Sequence, residues 1–153
     1  MDEALARLRP VTARHRVRAH VPDDLPALLL DYVEIDQVLS NLVENATKYA
    51  PDGSEIDLLV HRANGEVHVA VEDRGSGIPA ASLPHLFDAF YRVSDGTPRP
   101  AGFGLGVAVA RGLIEAHGGR IWAENRPGGG ARFTFTLPVS DRRAELNLQE
   151  VRV

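Results

Sequence analysis

The chain has 153 residues, enough for one domain with a sizeable core, and its 44% hydrophobic and 25% charged content is ordinary for a soluble globular protein. A formal net charge of -4 gives no basic character to attract nucleic acid, and the lack of cysteine excludes disulfides and Cys-ligated zinc or iron–sulfur centres. No apolar run approaches a membrane span and no signal-peptide pattern opens the chain, so a cytoplasmic reading follows by default.

The opening "MDEALARLRP" is abrupt and reads as part of a longer protein, with residues 1–14 a helix or linker toward a neighbour cut away. "HRVRAHVP" alternates at Val17, Ala19 and Val21 and predicts a strand; "ALLLDY", residues 27–32, predicts a second, short one. Residues 33–49 carry a helical period with Val38, Leu39, Leu42, Val43 and Ala46 as the apolar stripe. On another face Asn41, Asn45, Lys48 and Tyr49 fall at i, i+4, i+7 and i+8. Asparagine is a mediocre helix former, because its amide competes for nearby backbone groups, so two on one face ask for a reason. Lys48 is the sole lysine beside 16 arginines, and a compact ammonium is not equivalent to a guanidinium.

"APDG" stops the helix, and "SEIDLLVHR" and "EVHVAVED" read as a hairpin turned by "ANGE", with Val67, Val69 and Val71 on its buried side. His61 and His68 flank this hairpin and are placed to pair across it; none of the six histidines shows metal-ligand spacing. "DRGSGIP" is too glycine-rich for regular structure. "SLPHLFDAFYR" predicts a short helix with Leu86, Phe87 and Phe90 apolar, and residues 93–104 a mobile loop. "LGVAVARGLIEAHGG" predicts a helix ended by glycines. "RIWAEN" and "ARFTFTLPV" predict a closing strand pair about the turn "PGGG", with Phe133, Phe135 and Leu137 inward. The tail from Ser140 to residue 153 is charged and predicts little fixed structure. Antiparallel pairs without crossover helices argue for an α+β fold, a two-layer sandwich with helices on one face of a mixed, mostly antiparallel sheet.

Two glycine clusters carry chemical potential. Asp73 at a strand end, before Gly75 and Gly77, can accept a hydrogen bond from an exocyclic amine while the glycines let backbone approach a flat ring; an Asp-initiated turn explains the same residues. "GFGLG", residues 102–106, opens a helix, where free N–H groups and the dipole favour phosphate; a plain flexible loop is the alternative. Phe87 and Phe90 would serve as core residues in any fold.

The series is more specific than its members. An Asn-Asn-Lys-Tyr helix, an Asp-x-Gly-x-Gly turn, a Phe-x-x-Phe helix, a loop and a Gly-x-Gly-x-Gly helix start, in that order, resemble the N, G1, F and G2 boxes of the sensor histidine kinase ATP-binding domain. That domain, of the Bergerat ATP-binding fold, belongs to the wider group with gyrase B, Hsp90 and MutL. The resemblance covers residues 15–139, and "HGGRIWAENRPGGGARFTFTLP" leans toward the Kdp-type, potassium-responsive sensor kinases.

The resemblance implies that this chain binds ATP with Mg²⁺. Asn45 would be the metal ligand, Asn41 would lie by the phosphates and orient water or metal, and Lys48 would contact phosphate oxygens. Tyr49 would pack by adenine or ribose, and Asp73 would accept from the adenine amine over a floor of Gly75, Gly77 and Ile78. Phe87 and Phe90 would anchor a lid that contributes Tyr91 and the cation Arg92, while Gly102, Gly104, Leu105 and Gly106 would line the phosphate end. Asn41, Lys48 and Arg92 would serve the transfer of phosphate.

No histidine here has surroundings like His-Glu-Leu-Arg-Thr-Pro, so the implied chain is the catalytic half, monomeric alone. Its partner is the phosphoacceptor and dimerisation domain of the parent kinase, with a response regulator reached indirectly and no nucleic acid or membrane contact of its own. Two alternatives stand beside this. A gyrase-like ATPase would place a glutamate base where Asn41 stands, and a nucleotide-dependent interaction module would bind ATP without chemistry.

Overall fold

The structure, a computed structural model, describes residue 6 and residues 9–26, 28–89 and 106–139. Within them a short helix α1 (Arg9–Thr12) leads to strand β1 (Arg16–His20), and helix α2 (Tyr32–Tyr49) follows. Strands β2 (Glu55–Ala63) and β3 (Glu66–Glu72) form the first hairpin, then a single 3-10 turn covers Leu83–His85. Helix α3 (Gly106–Ala116) and strands β4 (Ile121–Asn125) and β5 (Ala131–Pro138) complete the order. The sheet runs β1-β2-β3-β5-β4, with β1 parallel to β2 and every other pair antiparallel. The mixed, mostly antiparallel sheet is the expected one.

Alternation along each strand divides the sheet into two faces. Ile56, Leu58 and Val60 of β2, Val67, Val69 and Val71 of β3, and Phe133, Phe135 and Leu137 of β5 are buried on the face that α2 and α3 cover. The stripe Ile35, Val38, Leu39, Leu42, Val43 and Ala46 brings α2 onto them. Burying each such side chain stabilises the fold by about 1.5–3 kcal/mol, so Leu42→Ala, which would also leave a cavity, removes roughly 2–5 kcal/mol.

Residues 27–32 do not form the strand that "ALLLDY" predicted. Ala27 lies outside the described residues, Leu28 and Leu30 pack on the core, and Leu29 between them is exposed. The alternation is real, but Asp31 commits the chain to a helix. Its Oδ1 accepts from the N–H groups of Val33 at 2.9 Å and Glu34 at 3.1 Å, capping α2. The helix predicted at 82–92 is likewise reduced, within the described residues, to the 3-10 turn and further turns up to Ala89. Pro84 can stand only at such a start, and the Asp88 N–H bonds back three residues to the His85 carbonyl. Phe90, the loop 93–104 and the tail from Ser140 lie outside the described residues.

The two helices run antiparallel. At one end the Asn41 amide of α2 reaches the Gly106 carbonyl of α3. At the other, His117 joins the end of α3 to the start of α2: its Nε2 accepts from the Asp31 N–H at 3.1 Å, and its Nδ1 faces the Leu113 carbonyl at 2.8 Å. Both contacts are made by one neutral tautomer, protonated at Nδ1. Gly118, at φ 78°, then turns the chain out of α3, with its N–H bonded to Glu115 and that of Gly119 to Ile114, the double bond of a Schellman ending.

On the uncovered face of the sheet, His61 and His68 are direct cross-strand partners with ring centroids 4.9 Å apart, as their spacing predicted. Trp122 stands edge-on to His68 at 6.0 Å and carries the Arg120 guanidinium at 5.3 Å. No group of His, Asp or Glu among the described residues has the arrangement of a metal site.

Candidate functional site: a pocket floor at the end of β3

Of the predicted residues that fall within the described part, Asn41, Asn45, Lys48 and Tyr49 lie on the C-terminal half of α2, where Gly106 meets Asn41 and Gly75 meets Tyr49. Asn41, half-buried, donates from Nδ2 to the Gly106 carbonyl at 2.9 Å and accepts at Oδ1 from Gln37 Nε2 at 2.9 Å. One side chain therefore joins α2 to the first residue of α3, whose leading N–H groups carry the positive end of the helix dipole. One turn on, Asn45 is half-buried and its amide has no partner among the described residues. Lys48 is exposed and equally unpaired among them. An amide oxygen and an ammonium are left available on a helix face beside the α3 start.

Tyr49, at the last turn of α2, contributes its backbone. A Cβ on Gly75 would lie 2.6 Å from the Tyr49 carbonyl oxygen, so only glycine lets the loop after β3 rest on the end of α2. Asp73 sits in that junction at 4% exposure. Its Oδ1 accepts from the N–H groups of Gly75 at 2.8 Å and Ala131 at 3.2 Å, while Oδ2 has no partner among the described residues. The Asp-initiated turn is thus present, and it uses only one of the two carboxylate oxygens. The other remains an acceptor at the rim of a glycine-lined loop.

Gly77, at φ 83°, and Ile78 continue the loop, and a residue the sequence reading missed holds them. Asn125, the last residue of β4, accepts from the Ile78 N–H at 2.6 Å and donates to the Ile78 carbonyl at 2.9 Å. Gly130 was also missed. A Cβ there would stand 2.0 Å from the Asp73 carbonyl oxygen, which is why the turn between β4 and β5 needs its last glycine. A signal existed: "PGGG" holds three glycines, all at positive φ, more than a tight hairpin requires. Phe87 is partly buried and packs edge-on to Phe133 at 6.2 Å, a core contact. Tyr91, Arg92, Gly102, Gly104 and Leu105 lie outside the described residues.

Behind the loop, on the uncovered face, Glu72 is buried and takes Arg126 Nε at 3.1 Å and Arg132 Nε at 2.6 Å. The hydrogen bond to Glu72, with its negative charge, holds the Arg132 guanidinium above its ordinary pKa. Arg74 pairs with Asp57 at 2.5 Å. Charge-assisted, partly buried pairs of this kind are the strong class.

The chain is similar to known proteins in sequence and in fold. The family model described as "Histidine kinase-, DNA gyrase B-, and HSP90-like ATPase" matches residues 30–141. The adaptive-response sensory kinase SasA of Parasynechococcus marenigrum (strain WH8102) is 44% identical over 124 residues, 80% of this chain and 32% of that protein. The sensor protein KdpD of Clostridium acetobutylicum is 37% identical over 142 residues, 90% of this chain and 15% of that protein. The chain thus spans a third or less of these relatives, and the Kdp-type likeness is shared with SasA. Among solved structures, the catalytic domain of histidine kinase ThkA, in a nucleotide-free form, superposes with a TM-score of 0.76 at 26% identity, covering 92% of this chain and 95% of that one. The mycobacterial sensor histidine kinase MprB shares the fold at a TM-score of 0.80 and 22% identity, covering 90% and 91% of the two chains.

Proposed function

The chain belongs to the family of histidine kinase-, DNA gyrase B- and HSP90-like ATPases, and from that premise we propose that it is the ATP-binding catalytic part of a sensor histidine kinase. Its task is to hold Mg-ATP and present the γ-phosphoryl group to a histidine on a separate phosphoacceptor domain. The observation that carries this reading is Asp73: a carboxylate at 4% exposure with one oxygen tied to backbone N–H groups and the other left as an acceptor. Such a group is matched to an exocyclic amine, and the adenine amine is the one this family's ligand offers.

From there the roles follow along the site. Gly75, Gly77 and Ile78 floor the base, and Tyr49 flanks the base or ribose. Asn41 holds the α3 start, where the N–H groups from Gly106 onward meet phosphate. Lys48 adds a cation to the phosphate oxygens. Asn45, half-buried with an unclaimed amide oxygen among the described residues, fits a Mg²⁺ ion, which takes few protein ligands and keeps several waters. Bound there with the nucleotide, Mg²⁺ would neutralise charge on the phosphates. Phe87, Phe90, Tyr91, Arg92, Gly102, Gly104 and Leu105 complete the proposed lid and phosphate end, Arg92 as its cation near the γ-phosphate. An amide at Asn41, already bonded at both ends, is no general base, so this pocket suits transfer to a positioned acceptor better than rapid hydrolysis.

We assign residues 15–139 to this domain, residues 1–14 to the connection toward the phosphoacceptor domain, and residues 140–153 to a charged tail. No described helix is long and apolar enough to cross a membrane. We place this part in the cytoplasm, within a membrane-anchored sensor, monomeric when separate and reaching its response regulator only through the phosphorylated partner.

The test is labelled ATP with this chain, with and without the phosphoacceptor helical hairpin of the parent kinase. In-line transfer needs the acceptor nitrogen about 3–3.5 Å from phosphorus, and none of the six histidines lies in the elements that form the pocket. The expected result is no acid-labile label on the chain alone and label on the added hairpin, at a reduced rate because the tether is lost. Label on the isolated chain would overturn the half-enzyme reading, and none on the hairpin would favour a silent nucleotide-dependent module.

A further inference from the structure

The loop after β3 has few fixed points. Between Asp73 and the turns that begin at Ala80 it contains no regular structure. Asp73 fixes its start through Gly75, and Asn125 fixes its end through both polar groups of Ile78. We propose that Asn125 is a positioning residue that sets the base preference of the nucleotide pocket, acting through the loop 75–78.

The chemistry of the contact is specific. Ile78 turns its own N–H and C=O toward Asn125, and the side-chain amide answers the two with its oxygen as acceptor and its nitrogen as donor. Asn125 does so at 2.6 and 2.9 Å, as a neighbouring strand would. Its approach requires residue 77 to lack a side chain: a Cβ on Gly77 would lie 2.8 Å from Asn125 Oδ1. Ile78, so held, is buried against the core and cannot drift with the loop.

Asn125 is itself braced. The next residue, Arg126, donates its backbone N–H to Gly130 at 2.8 Å and a guanidinium N–H to Gly129 at 3.0 Å, and its Nε meets Glu72 at 3.1 Å. Glu72 ends β3 and Asp73 follows it directly. The residue that accepts from the base and the residue that fixes the loop beneath it are thus carried on one frame, joined again by the Ala131 N–H on Asp73. Slackening Asn125 would shift the floor against Asp73 and blur adenine selection without touching the phosphate end at Asn41 and Gly106.

This rests on the pocket being an ATP site, and the test separates the two. Asn125→Ala removes both contacts, and Asn125→Asp keeps the size and the acceptor but turns the donor into an acceptor facing the Ile78 carbonyl. Calorimetry on the whole chain would compare ATP, GTP and inorganic tripolyphosphate, each with Mg²⁺, after circular dichroism shows folded protein. The expected result is a tenfold or greater loss of ATP affinity, a smaller ATP-to-GTP ratio and unchanged tripolyphosphate affinity. A merely structural residue would weaken all three probes together; that result, unchanged ATP affinity, or loss of fold in both variants overturns the proposal. Failure of the unsubstituted chain to bind ATP would instead remove the pocket reading itself.

Discussion

Asp73→Asn separates what this carboxylate does for the fold from what it does for a ligand. Oδ1 is held by the N–H groups of Gly75 at 2.8 Å and Ala131 at 3.2 Å, and an asparagine with its carbonyl oxygen in that place retains both bonds. They lose charge assistance, so the fold weakens by roughly 1–2 kcal/mol. The ligand side changes sign. On the proposed reading, Nδ2 donates where Oδ2 accepted, and it would face the adenine amine N–H. Losing a hydrogen bond to a charged acceptor costs about 1.5–3 kcal/mol, or roughly a 10- to 150-fold weaker ATP complex. Guanine presents a carbonyl oxygen where adenine has its amine, so GTP loses less and the preference narrows. Calorimetry with both nucleotides at fixed Mg²⁺ reads the affinities, and urea denaturation reads the stability. Equal ATP affinity in the two proteins would remove Asp73 from the pocket and leave it as a turn residue.

Asn45→Ala should abolish the enhancement of ATP binding by Mg²⁺ and leave the helix intact, since alanine is the best helix former and the amide has no partner among the described residues; titration with and without Mg²⁺ tests this, and a full Mg²⁺ effect in the variant refutes the ligand assignment. His117→Ala should destabilise the fold by about 1–3 kcal/mol in urea denaturation, because the Asp31 N–H loses its acceptor and the Leu113 carbonyl its imidazole donor where α3 ends against the start of α2. An unchanged midpoint would show that water replaces both contacts.

Periodicity made most of the fold legible. The stripe of α2 and the alternations of β2, β3 and β5 are physical requirements of burial, and they predicted the two layers and both hairpins. The misses have local causes. At residues 27–32 alternation satisfied the core without a strand, because Asp31 offered its oxygen to the next helix turn. At 82–92 Leu86, Phe87 and Phe90 read as a helix face, while among the described residues of that stretch Pro84 stands at the start of one 3-10 turn and turns follow it up to Ala89. In the site, Asn41, Asp73 and the glycines of the 73–78 loop were legible because type and spacing within one short segment signalled them. Asn125 and Gly130 were not, because their meaning lies in contacts 47 and 57 positions away, to Ile78 and Asp73. A strand-end asparagine and a glycine turn look the same in sequence whether or not another loop rests on them.

Glu72 and Asp73 are consecutive buried acids on opposite faces of the same strand end, and the fold treats them differently. Glu72 is completed by the protein: Arg126 and Arg132 occupy its two oxygens, and removing either would leave a buried charge poorly compensated. Asp73 is completed on one oxygen only. Its second oxygen is left to solvent and remains an acceptor open to a ligand at this point. A ligand that supplies the missing donor binds the native state and not the unfolded chain, and at a concentration of 100 times its dissociation constant it adds about 2.7 kcal/mol to stability. On the proposed reading of Asp73 the domain's stability reports on adenine occupancy, while Glu72, already satisfied, holds the frame in place whether the site is filled or not.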